Sequence, residues 1–148
     1  MWNHRKGLDT MINLSRALPN DYQIILVGLS KKQIQALPSN IIGISRTNNV
    51  DELRQLYAVS DYFVNPTIED NYPTTNLEAT SCGTPTITYN TGGSPESARF
   101  YGYTTKFNDV TELTNKITGE EGGIAINNED ISISKFVNSY LSLYDLIK

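Results

Sequence analysis

The chain of 148 residues has 16 acidic and 12 basic side chains, a formal charge of −4 and a pI of about 4.9. That length suits one domain, and that charge favours no polyanion, so nucleic acid is not expected as a main partner. The single cysteine, Cys82, excludes an internal disulfide framework or a thiolate metal cluster. No apolar run approaches the roughly 20 residues of a membrane span, and MWNHRKGLD lacks the hydrophobic stretch of a secretory signal, so a cytoplasmic protein is expected.

In chain order, LDTMINLSRALP sets Leu8, Met11, Ile12 and Leu18 at helical spacing before Pro19, and QIILVG follows as a continuous apolar run ending in glycine. This pattern predicts a helix and then a strand buried on both faces. KKQIQALP predicts a short helix and NIIGIS a second strand. NNVDELRQLYAVS predicts a third helix with Asn49 as candidate N-cap and Glu52 three residues later. DYFVNPT is a third strand, TPTITYN a fourth and YGYTTKF a fifth, with a helix between the third and fourth. Glu96, after Pro95, opens a short helix. VTELTNKIT and SKFVNSYLSLYDLIK read as closing helices, the last with a stripe of Phe136, Val137, Tyr140, Leu141, Tyr144 and Ile147 suited to docking on a core. Strands alternating with helices predict an α/β fold with a parallel sheet covered on both sides, in which ligands collect at the carboxyl ends of the strands.

The segment EDNYPTTNLEATSCGTP, residues 69 to 85, follows the third strand at that end. Thr75 and Glu78 have the spacing of a capping box, which accounts for a helix start but not for the polar loop of Glu69, Asp70, Asn71, Tyr72 and Pro73 ahead of it. A helix N-terminus offers unpaired amides to a phosphate, and a carboxylate offers acceptors to sugar hydroxyls. Together these describe a nucleotide-sugar site; a helix that is merely well capped is the plainer alternative. His4, the only histidine, stands close to the chain start and is not expected to bind metal or act as a general base.

NPTIEDNYPTTNLEATSCGTPTITYNTGGSPE, with RKGLD and LRQLYAVSDYFVNPT ahead of it in order, resembles the donor-binding signature of the retaining glycosyltransferases of family 4 (glycosyl transferases group 1). The likeness runs from Arg5 to about Phe107. It implies the C-terminal, Rossmann-like, doubly wound half of a GT-B enzyme that transfers a sugar from a nucleotide-diphosphate donor, with retained configuration and no bound metal or other cofactor. The family's motif has two acidic residues separated by seven others, read as its catalytic pair. Glu78 falls on the second, which bonds the ribose hydroxyls. Asp70 falls on the first, commonly a glutamate that meets the donor sugar, and being one methylene shorter it leaves room for Glu69 to share the role.

The resemblance further implies that the amides of Asn71, Tyr72 and Thr74 approach the sugar, that those of Asn76 and Leu77 face the diphosphate, and that Lys6 neutralises it. Arg5 is read either as a base or phosphate contact or as an exposed side chain. Arg46 and Thr47 match a loop bordering the base, and Gly92 and Gly93 a glycine pair that allows either a tight turn or close approach of backbone to ligand. Bacterial cell-surface glycan or lipid-linked oligosaccharide assembly is the setting it suggests.

Two features of the family have no counterpart in this sequence. One is the N-terminal acceptor-side domain, without which the chain is expected to be inactive alone, as a fragment of a longer protein. The other is a strand ahead of RKG, central in the usual sheet order. Its absence predicts either a truncated piece or a sheet closed by pairing QIILVG with DYFVNPT, and in both cases marginal stability or rescue by a partner chain. A binding subunit that holds a nucleotide-sugar or a partner without chemistry is a second reading, and a sugar-nucleotide epimerase half a more distant one. A phospho-receiver domain is set aside, because it needs an aspartate where the third strand ends in NPT.

Overall fold

The computed structural model describes residues 2–119 and a few positions between 132 and 142. Eleven elements alternate in the predicted order: α1 (Leu8–Ala17), β1 (Ile24–Val27), α2 (Lys31–Gln35), β2 (Ile41–Ile44), α3 (Val50–Ala58), β3 (Phe63–Asn65), α4 (Thr74–Ser81), β4 (Thr86–Tyr89), α5 (Ser94–Ala98), β5 (Gly102–Thr105) and α6 (Val110–Thr118). Every strand pair is parallel. β1 pairs β2 in the register Ile24 to Ile41, while β3 pairs β4 and β4 pairs β5 with Phe63 opposite Thr86 and Thr86 opposite Gly102. β4 is buried at every position, as a central strand covered on both faces should be.

The strands form two sheets, β1–β2 and β3–β4–β5, not one. Of the two sequence expectations for the gap, direct pairing of QIILVG with DYFVNPT is not adopted. β1 and β3 instead border one cleft of about 1090 Å³. Side chains that would otherwise be split between two half-domains close beneath it: Met11 and Leu14 of α1, Ile24 and Leu26 of β1, Ile87 of β4, and Leu113 and Ile117 of α6 share one buried cluster. That shared core, with α1 packed on α6, joins the two sheets without a backbone ladder between them.

Several local expectations are revised. Asn49 caps α3 by accepting from the Glu52 amide at 2.8 Å, but the Glu52 carboxylate turns to the Asn48 amide at 2.6 Å, so the reciprocal arm of a capping box is missing. A full capping box forms instead at α2, between Ser30 and Gln33. The final segment SKFVNSYLSLYDLIK lies largely outside the described residues. Of its apolar stripe, Val137 and Leu141 are described, and at 45% and 56% exposure they are not docked on the core.

Candidate functional site

The site is assembled by stitching the loop before α1 to the loop after β3. Gly7 caps α1 with φ 77°, and a Cβ there would collide with the Pro66 carbonyl, so only glycine lets these backbones touch. One step on, the Ile68 amide donates to the Arg5 carbonyl at 2.9 Å. This contact carries Lys6 to Asp70 across 64 residues of sequence, with Nζ 3.4 Å from Oδ2, both side chains partly buried. The other oxygen of Asp70 accepts from the Tyr72 amide at 3.3 Å, so the carboxylate is held at both ends. Arg5 is exposed, its guanidinium donating to the Glu69 carbonyl at 3.3 Å; Glu69 and Asn71 are exposed beside it.

The glycine pair has a different use from close approach to a ligand. Gly93 donates to the Asp70 carbonyl at 2.9 Å, and a Cβ on it would overlap the Asn71 carbonyl. Gly92 has φ 54° and sits equally close to Asp70. Both glycines therefore hold the acidic loop from behind.

α4 begins without the predicted capping box. Pro73 is its N-cap and no side chain caps it, so Thr75 and Glu78 are not reciprocal partners. Thr74 and Thr75 begin the helix exposed, and their amides have no partner among the described residues. Asn76 departs from expectation: its amide donates to the Pro73 carbonyl at 3.1 Å and its side chain is wholly buried, so it does not face outward. Leu77, fourth in the helix, lies beyond the three opening amides that helix geometry leaves free. The open donors, Thr74 and Thr75, are thus two positions earlier than the Asn76 and Leu77 that the sequence suggested for the diphosphate.

Asn76 serves a buried polar network. Asn65 Nδ2 donates to Asn76 Oδ1 at 2.8 Å, Asn76 Nδ2 donates to Ser97 Oγ at 2.8 Å, and Thr67 Oγ1 donates to Asn65 Oδ1 at 2.7 Å. The chain ties the carboxyl end of β3, the first turn of α4 and α5 to one another, which fixes where the opening amides point. Nothing in local sequence pattern marks these partners.

Released from capping, the exposed Glu78 carboxylate accepts from the Tyr57 hydroxyl at 3.3 Å. Burial first, then the Glu78 charge, pushes the Tyr57 hydroxyl well above the usual tyrosine range. Lys6, Tyr57, Thr67, Thr75 and Glu78 all line the β1–β3 cleft, while Arg5, Glu69, Asp70 and Asn71 line a smaller adjoining hollow of about 450 Å³. Arg46 and Thr47, beyond β2, line neither. No sequence pattern pointed to Trp2, whose indole donates to the Val27 carbonyl at 2.7 Å and covers the end of β1. The His4 ring lies 3.4 Å from the Asp9 carboxylate on the surface. Among the described residues no three histidine, cysteine or acidic side chains are grouped as metal ligands would be.

A cation beside a carboxylate, free helix-opening amides and a second carboxylate on one cleft can receive an anionic group next to hydroxyls. Comparison with known proteins agrees in kind. The alpha-galactosylglucosyldiacylglycerol synthase of Streptococcus pneumoniae is 34% identical over 94 residues, 55% of this chain and 24% of that protein. The glycogen synthase of Clostridium botulinum is 27% identical over 132 residues, 84% of this chain and 25% of that one. The chain thus spans about a quarter of the length of these relatives.

Among solved structures, HepE of Anabaena in complex with UDP-glucose superposes with a TM-score of 0.67 at 22% identity, over 80% of this chain and 36% of that one. Sucrose-phosphate synthase of Thermosynechococcus elongatus gives 0.66 at 23% identity, over 79% of this chain and 33% of that one. These likenesses show the fold, the Rossmann-like α/β arrangement of GT-B proteins. The model of the family "Glycosyl transferases group 1" matches residues 1–119, and the chain belongs to that family.

Proposed function

We propose that this chain is the donor-binding domain of a glycosyltransferase that moves a sugar from a nucleoside diphosphate to an acceptor with retained configuration. The observation that carries the reading is the convergence of Lys6, Thr75 at the opening of α4 and Glu78 on one cleft that runs the length of β1 and β3, with Asp70 tied to Lys6 beside it. In this reading Glu78 accepts the ribose hydroxyls, and the Thr74 and Thr75 amides with Lys6 take the diphosphate. Asp70 faces the sugar, with Glu69 and the Asn71 and Tyr72 amides beside it. Lys6, neutralising the leaving diphosphate, supplies the charge that a metal would supply elsewhere. Binding would draw Lys6 partly from Asp70 to phosphate, freeing that carboxylate for a sugar hydroxyl.

The acceptor side belongs to a separate domain, so this chain alone binds a donor without turning it over. A relative named for a glycolipid and a neighbour crystallised with UDP-glucose favour a hexose donor and a cell-surface glycan product on the cytoplasmic side of the membrane. An amide-resolved NMR titration with UDP, ADP and GDP tests the placement. Shifts concentrated at residues 5–7 and 69–78 support it; shifts confined to the loop of Arg46 and Thr47 contradict it.

A further inference from the structure

We infer that Tyr57 is a positioning residue for the donor's ribose, setting the orientation of the Glu78 carboxylate. The inference rests on the donor-site reading above and adds a residue that neither the sequence pattern nor the family signature singles out. Glu78 stands exposed in the second turn of α4 with no cap to hold it, and a free glutamate side chain there would sample several rotamers. Its hydrogen-bond partner stands on α3: the Tyr57 hydroxyl, 3.3 Å from Oε2. Among the described residues Oε1 has no protein hydrogen-bond partner, which leaves it as the free acceptor of a side chain that lines the cleft.

Tyr57 is itself held on two sides. Its ring meets Phe63 of β3 edge to face, with centroids 5.3 Å apart and planes at 82°. Its carbonyl accepts from Thr84 Oγ1 at 2.6 Å, just ahead of β4. A residue held by its ring on β3 and by its backbone on the turn before β4 thus reaches across to an exposed acid on α4 and bonds one of its oxygens. Partial burial and the facing carboxylate keep the phenol protonated, so it donates throughout the neutral range. A hydroxyl pair on a ribose needs an acceptor at a fixed place, and pre-orienting that acceptor removes an ordering cost from binding.

The test measures binding of UDP, of 2′,3′-dideoxy-UDP and of inorganic pyrophosphate to the wild type, Tyr57→Phe and Glu78→Gln. The wild type is expected to prefer UDP over the dideoxy compound by about tenfold or more, the scale of one hydrogen bond to a charged acceptor. Tyr57→Phe should lower that preference at least threefold while leaving pyrophosphate affinity unchanged; general damage to the site would weaken all three ligands together. If the wild type discriminates, Glu78→Gln loses discrimination and Tyr57→Phe keeps it, the role of Tyr57 is overturned and the donor site stands. If the wild type does not discriminate, or binds none of the three, the donor-site reading falls and this inference with it.

Discussion

Replacing Asn76 by alanine should cost this domain much of its stability, although the side chain touches no ligand in the account above. Asn76 is 0% exposed, accepts from Asn65 Nδ2 at 2.8 Å and donates to Ser97 Oγ at 2.8 Å. Two buried hydrogen bonds are lost at about 1 kcal/mol each, and Asn65 Nδ2 is left in the interior without an acceptor, at about 1–3 kcal/mol more. Ser97 suffers less, because its hydroxyl still donates to the Ser94 carbonyl at 3.0 Å. The total of about 3–5 kcal/mol is large against the 5–15 kcal/mol typical of a domain, and corresponds to a fall in Tm of about 6–20 °C at this chain length.

Thermal unfolding followed by circular dichroism measures the shift, and Ser97→Ala should cost only about 1 kcal/mol. The double variant should fall short of the sum of the two, with a coupling of at least about 0.5 kcal/mol, because both remove the same bond. A Tm change under about 3 °C for Asn76→Ala, or strict additivity in the cycle, would refute the claim that this network fixes the start of α4.

Gly93→Ala puts a methyl group into the Asn71 carbonyl, so the acidic loop must move; a loss of about 1–3 kcal/mol and weakened nucleotide binding are expected by unfolding and titration, and an unchanged protein would show that the loop is slack. Lys6→Ala should leave the unfolding free energy within about 1 kcal/mol of the wild type, since its ion pair with Asp70 is partly exposed, but lower affinity for a nucleoside diphosphate about tenfold and flatten its salt dependence in isothermal titrations. Tyr57, Tyr62 and Tyr89 are all held above the ordinary phenol value, chiefly by burial. A raised folded-state value means that the stability these groups contribute is complete below about pH 10 and is lost as the pH rises through their folded values. Absorbance at 295 nm should therefore show a late-ionising fraction that loses one tyrosine in Tyr57→Phe, and stability should decline only in strong alkali.

The strands were legible because a strand covered on both faces leaves a mark that local sequence carries. QIILVG and TPTITYN are short uncharged runs between turn residues, and they became β1 and β4. The acidic loop and Glu78 were legible for a different reason, the spacing of a known signature. Three things were hidden, and each depends on partners distant in sequence. The Thr75–Glu78 spacing fits a capping box, yet Tyr57 on α3 takes the glutamate, and a phenol 21 residues away leaves no local trace. Asn76 looks like any polar residue of a helix start until Asn65 and Ser97 close around it. Gly92 and Gly93 fitted either a tight turn or close approach to a ligand, and only the fold shows the backbone of Asp70 and Asn71 packed against them. The separation into two sheets was foreseen as a problem, but how α1 and α6 hold the halves together is a matter of packing that no periodicity encodes.

The central claim, that this cleft receives a nucleotide donor through Glu78, is met most directly by calorimetric titration of the chain with UDP, GDP and ADP without added metal, for the wild type and Glu78→Ala. The account predicts binding that favours one base and weakens about tenfold or more in the variant, with the fold unchanged by circular dichroism. A folded wild type that binds none of the three, or a Glu78→Ala variant that binds as tightly as the wild type, would contradict it.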